Sequence, residues 1–257
     1  MPEDGRERST ERAVGAVTPS ARAQVIADLA RSISDSVRGR DALVAVDGVG
    51  GSGKTTFADE LAVAIRTHAV TVVHADDHLR PAAVRHARGR FSPEGFWLDT
   101  YDHARLIQAA LEPVRCHAHS TPDRARRGAG AGPATRTLVL VEGTFPLRRE
   151  LRATWDYSVF LDVPLDEAAR RMHVRAGAPL DDRLLARYLG AQRIYFRSDA
   201  RWSRADVVLD HADLDHPQLI DPARSAAAAV GRCRPHRPDR ACGTVATSRP
   251  ARRRRTA

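Results

Sequence analysis

The chain has 257 residues, 42% of them hydrophobic, which is enough for one substantial core with appendages and short of two full domains. Its net charge of +9 is local: residues 221–257 hold ten arginines and two aspartates, whereas residues 1–220 hold 31 basic and 30 acidic groups, so the body lacks the basic surface of a nucleic-acid binder. No apolar run approaches a membrane span, the polar N-terminus lacks a signal-peptide core, and Cys116, Cys233 and Cys242 suit neither a disulfide framework nor a zinc site; the expectation is a reduced, cytoplasmic protein.

Residues 1–17 read as disordered. From Thr18, as N-cap, with Pro19 at the first helical position, the pattern predicts a helix carrying Val25, Ile26, Leu29, Ile33 and Val37 on one face. ALVAVD (42–47) is a continuous apolar run ending at a glycine-rich turn, the mark of a buried parallel strand. A helix over 54–66 follows, with Phe57, Leu61 and Ile65 on one face, then a second buried strand over 69–76 that ends in acids. An amphipathic helix is predicted at 99–113, strands at 135–143 and 156–164, helices at 165–175 and 181–197, and a short strand at 205–211. Strands alternating with helices predict an α/β fold, a doubly wound parallel β-sheet flanked by helices, in one domain over 18–220. From 221 onward Ala, Arg and Pro predominate without apolar periodicity, which predicts a disordered basic tail. The tail has no interleaved aromatics to stack bases, so it reads as a solvated extension rather than a nucleic-acid arm.

Gly48-Val49-Gly50-Gly51-Ser52-Gly53-Lys54-Thr55 fits G-x-x-x-x-G-K-[ST], placed after a buried strand and opening a helix, as a phosphate loop requires. Backbone N–H groups of such a loop, with the adjoining Thr56, surround a phosphate, and the helix N-terminus adds positive potential. Lys54 is the only lysine in a chain with 40 arginines. A compact ammonium on a flexible stem reaches the β- and γ-phosphates, whereas the planar guanidinium fork fits that slot poorly. The Thr55 hydroxyl is the expected Mg²⁺ ligand. GTP-specific proteins read guanine with Asn-Lys-x-Asp, and this chain contains no asparagine.

These features, with HADDHLRP, LVLVEGTFPLRRELRATWDYSVFLDVPLDEAARRMHVR, RYLGAQRIYF and ADVVLDH in that order, resemble the uridine kinase-like family of P-loop small-molecule kinases over most of residues 40–220. The resemblance implies ATP and Mg²⁺, a helical lid, and a strand-end aspartate, here Asp76 with Asp77 as the alternative, that accepts the proton of an acceptor hydroxyl. It implies Glu142 as the second acid at the metal. Arg171 and Arg175 become lid arginines sharing a helix face, with Arg187 and Arg193 as weaker candidates. Arg80, Phe96, Trp97, Asp99, Tyr101 and His119 fall in stretches that contact a nucleoside in the family, Phe96 and Trp97 being equally readable as core. The stretch RCHAHSTPDRARRGAGAGP departs from the family pattern. The favoured acceptor is a pyrimidine nucleoside 5′-hydroxyl, and the alternatives are a pantothenate-like compound, a sugar or a sugar phosphate. A nucleotide-binding regulatory module without turnover, a tail-driven nucleic-acid-dependent NTPase and a homo-oligomer also stay open.

Overall fold

The computed structural model describes residues 20–125, 136–177 and 180–232. Residues 1–17, 126–135 and 233–257, expected to be disordered ends and a glycine-rich stretch, lie outside the described residues. The first helix, α1 (Ala21–Ser36), is capped by Ser20, whose hydroxyl accepts from Ala23 N at 3.2 Å, two residues beyond the expected Thr18 cap. The sheet strands are β1 (Ala42–Gly48), β2 (His68–His74), β3 (Arg136–Gly143), β4 (Tyr157–Asp162), β5 (Val207–Asp210) and β6 (Gln218–Leu219). They lie in the order β2-β3-β1-β4-β5-β6; the first five are parallel and β6 is an antiparallel edge that the sequence did not announce.

Both sheet faces are covered, and the period of two in the strands sorts the core. Val44, Val46, Leu138 and Leu140 meet α1 and α2 (Lys54–Ala64) through Ile33, Phe57 and Leu61. Leu43, Ala45, Val139 and Val141 meet the other face, where α4 (Pro93–Asp99), α5 (His103–Ala125) and α7 (Asp182–Ser198) contribute Trp97, Leu106 and Tyr195. The expected doubly wound sheet is present. Two short helices complete this layer, α3 (Ala82–Arg85) and α8 (Ala226–Arg232), and α6 (Leu165–Ala176) follows β4. β1 lies between β3 and β4, so connections leave it to opposite sides and open a crevice at its carboxyl end.

Three boundaries differ from expectation. The single helix of 99–113 is two elements. Ser92 caps α4, with Pro93 at its first position, and Asp102 caps α5 by accepting from Arg105 N at 3.1 Å, which leaves Tyr101 in the connector. β2 ends at His74, where its pairing with β3 ends at Glu142, and Asp76 sits in a following 3₁₀ turn (Ala75–Asp77). The fold continues past 221. The Asp162 carboxylate accepts from Ala226 N and Ala227 N, capping α8, and Ala227 is buried against the core, so residues 221–232 belong to the fold. No helix of the described residues is long and apolar enough to cross a membrane.

Candidate active site

The phosphate loop joins β1 to α2 at the mouth of the crevice. Gly53 (φ +85°) holds the left-handed backbone position just before Lys54, and Gly51 (φ +80°) presses on α6, where an added Cβ would lie 2.8 Å from the Ala168 carbonyl. The loop wraps its own lysine: Lys54 Nζ donates to Val49 O at 3.0 Å. Burial lowers the Lys54 pKa, while Glu142, Asp47 and Asp76 pull the other way and favour its charge. Thr55, at the open N-terminus of the eleven-residue α2, donates to Glu142 Oε1 at 3.2 Å, so the two residues expected at Mg²⁺ are adjacent. Thr56 is exposed beside it. The ensemble fits a magnesium nucleotide: backbone donors and an ammonium for phosphates, and a hydroxyl with a carboxylate for a hard cation that draws its other ligands from phosphate and water.

Two histidines missed in the sequence reading support this loop. His211, fully buried at the end of β5, donates from Nδ1 to Ser52 O at 2.7 Å, which leaves Nε2 to accept from Arg22 of α1. His74 bonds Glu142 Oε1 at 2.8 Å from the neighbouring strand end, and that hydrogen bond raises its pKa. Both stand at strand ends, a position the sequence could have flagged.

Asp47 is the hub beneath the loop. Its buried carboxylate accepts from Gly48 N at 2.6 Å, Phe145 N at 3.2 Å, Leu147 N at 3.0 Å and the Tyr195 hydroxyl at 2.8 Å. Phe145 is held at φ +76°, a costly conformation for an aromatic residue, and the bonds to Asp47 fix that turn. The turn after β3, the core side of α7 and the start of the phosphate loop are thereby tied to one side chain.

Beyond the loop lies a cavity of about 440 Å³ reached by Gly50, Asp76, Phe96, Tyr101, Arg175 and Arg187. The Tyr101 hydroxyl donates to Asp76 Oδ1 at 2.9 Å; burial, with Asp76 alongside, pushes the phenol well above its usual pKa, so it remains a donor. Arg175 faces this cavity. Arg171, expected on the same duty, points elsewhere: its Nε bonds Glu167 at 2.6 Å and its Nη2 bonds the His211 and Ala212 carbonyls, locking α6 to the segment after β5. Its buried Nη1 has no hydrogen-bond partner among the described residues.

The remaining expected acceptor contacts separate. Asp99 is turned away, paired with Arg88 at 2.8 Å, and Arg80 is absent from the cavity wall, its carbonyl accepting from Arg85 Nε at 2.8 Å. Phe96 lines the cavity, whereas Trp97 belongs to the core under the Arg148 guanidinium, 4.3 Å away. Asp77 and Arg193 are exposed and do not reach the cavity, and the His119 side chain lies outside the described residues. Arg85, Thr100, Tyr188 and Gln192 join the wall without having been singled out; each comes from a helix or helix end whose facing only packing defines.

No protein-family model and no curated protein matches the sequence. Among solved structures, the chain is similar to a possible uridine kinase from Bacillus stearothermophilus, with 24% identity over 72% of this chain and 97% of that one and a TM-score of 0.51. A protein described as a fructose transport system kinase from Silicibacter sp. shares 25% identity over 71% and 98% of the two chains with a TM-score of 0.48. A gluconokinase from Sinorhizobium meliloti shares 21% over 76% and 94% with a TM-score of 0.41. The first likeness establishes the architecture: this chain has the P-loop kinase fold.

Proposed function

We propose that the protein is a small-molecule kinase that moves the γ-phosphoryl group of ATP to a hydroxyl of an acceptor bound in the Asp76 cavity. The observation that carries this reading is the shared space: one cavity is lined by Gly50 of the phosphate loop, by Arg175 and by a carboxylate held by Tyr101. Phosphoryl transfer depends mainly on positioning and charge stabilisation, and this arrangement supplies both. Asp76 orients the acceptor hydroxyl and takes its proton, and the bond from Tyr101 holds the carboxylate in place. Lys54 and the loop amides hold the phosphates, and Arg175 stands where charge spreads onto the transferring group. Thr55 and Glu142 would hold Mg²⁺, which when bound neutralises phosphate charge. Reliance on Mg-ATP fits a cytoplasmic setting.

A pyrimidine nucleoside would find stacking faces in Phe96 and Tyr188, while a sugar-phosphate-like or acidic acceptor would also find Arg85 and Arg187. The test is ADP release from Mg-ATP with nucleosides, sugars and hydroxy acids added singly, for wild type and Asp76→Ala. Acceptor-stimulated release that disappears in the variant is expected. Release that ignores every acceptor and is equal in the two proteins would remove the kinase reading and leave a nucleotide-binding module.

A further inference from the structure

Arg187 projects from α7 into the cavity and is 5% exposed, yet its Nε and Nη2 are buried with no hydrogen-bond partner among the described residues. A buried guanidinium with idle donors is costly, so folds ordinarily satisfy it. This fold does so elsewhere. Arg148, also 5% exposed and also stacked on an aromatic ring, donates to Glu150 at 2.9 Å and to the Trp97 carbonyl at 3.2 Å. Arg187 has only the rings: its guanidinium carbon lies 4.9 Å from the Phe96 ring centre and 5.7 Å from that of Tyr188. Stacking satisfies the faces of a guanidinium and leaves its in-plane N–H edge available for an oxyanion.

Its surroundings sharpen the point. Arg85 also lines the cavity and donates from Nε to the Arg80 carbonyl; neither arginine has a carboxylate partner among the described residues. Among the described residues, the charged groups of the cavity wall are thus Arg85, Arg175 and Arg187 against the single carboxylate of Asp76. Arg175 is the one placed beside Lys54 and the phosphate loop, leaving Arg85 and Arg187 as surplus charge. Burial and the nearby Arg85 and Arg90 work against the charge on Arg187, a penalty that an anion would reverse. Phe96 connects the two working groups, with its ring next to Arg187 and 6.3 Å from the Tyr101 ring that holds Asp76. Thr100 adds a second idle polar group on this wall, a buried Oγ1 without a partner among the described residues.

Resting on the kinase reading, we propose that the acceptor is an acidic hydroxylated metabolite: its hydroxyl meets Asp76, and a carboxylate or phosphate elsewhere in the same molecule is bound by Arg187 and Arg85. A neutral nucleoside would leave the Arg187 guanidinium desolvated and unpaired and the Arg85 guanidinium without a counter-charge. An oxyanion satisfies the Arg187 edge in the bidentate manner that guanidinium favours.

The experiment measures ADP release with D-gluconate and pantothenate as carboxylate probes, D-glucose 6-phosphate as a phosphate probe, and uridine, cytidine and D-fructose as neutral probes. Wild type, Arg187→Gln and Arg187→Lys are compared, with folding checked by circular dichroism and Arg85→Gln replacing any variant that does not fold. The expected result is turnover with an acid, with the carboxylate and phosphate arms identifying which oxyanion is used. In Arg187→Gln the acceptor KM should rise at least tenfold while the KM for ATP is unchanged, and Arg187→Lys should recover part of the loss. Turnover of a neutral probe with an acceptor KM indifferent to Arg187→Gln overturns the proposal and leaves the kinase standing.

Thermal stabilisation by each acid, with a non-hydrolysable ATP analogue present, supplies a readout independent of turnover. An Arg187-dependent shift supports the acidic site even if catalysis fails. No such shift, together with no acid-dependent turnover, overturns it. ATP binding, measured separately, reports on the phosphate loop and so distinguishes failure of the kinase reading from failure of this one.

Discussion

The two ends of the cleft are made of different materials. The phosphate end is mostly backbone, eight consecutive residues from Gly48 to Thr55, completed by Glu142 from the next strand. The proposed acceptor end is built from side chains supplied by separate elements: Asp76 from a 3₁₀ turn, Arg85 from α3, Phe96 from α4, Tyr101 from a connector, Arg175 from α6 and Arg187 from α7. Amide groups hold a phosphate irrespective of what carries it, whereas side chains read the individual molecule. Changes at the first end should therefore affect every turnover, and changes at the second should depend on the acceptor.

Asp47 joins the two ends, so removing it should break the comparison outright. Asp47→Ala strands the Tyr195 hydroxyl and two loop amides in the core and removes one of the three acids near Lys54, and about 3–5 kcal/mol of stability should be lost in chemical denaturation. A loss below about 1 kcal/mol would show that the turn at Phe145 holds without it.

Lys54→Arg tests the phosphate end alone. The wider fork should lower kcat/KM for ATP on the order of 10²- to 10³-fold with every acceptor. Near-normal turnover would mean that the single lysine in the chain has no special role. Tyr101→Phe tests the acceptor end. Losing one bond to a carboxylate should cost about 1.5 kcal/mol, roughly tenfold in acceptor turnover, with the KM for ATP unmoved. An equal rise in the KM for ATP would contradict the division between the ends.

The smallest expected effect belongs to His74. Its hydrogen bond to Glu142 raises the imidazole pKa above 6.5, so the folded state favours the protonated ring. That stabilisation is fully present below about pH 6.5 and is lost as the pH rises through the raised value. Desolvation opposes the shift, Asp77 and Asp59 add to it, and the side chain is 36% exposed, so the contribution is under about 1 kcal/mol. The stability difference between wild type and His74→Gln should be larger at pH 5.5 than at pH 9. Equal differences would assign His74 a neutral packing role.

Sequence alone determined the layered α/β architecture, the strand cores, the phosphate loop and the acid following the second strand. Those features are written in contiguous residues: apolar runs bounded by turns, a fixed glycine spacing, and a lysine left alone among arginines. Tertiary packing decided the partnerships. Arg171 and Arg175 lie one helical turn apart, yet one is held by the carbonyls after β5 and the other opens onto the cavity. Asp99 and Tyr101 are two residues apart, yet the first pairs with Arg88 and the second orients Asp76. Asp162 caps a helix that begins more than 60 residues later, which brought residues 221–232 into the fold. Arg187 resembles any other helix arginine until the elements packed around it prove to contain no carboxylate partner for it among the described residues. Helical and strand periodicity show which face a residue occupies; what that face meets depends on elements distant in the chain, and in this protein those contacts set the charge of the cavity wall.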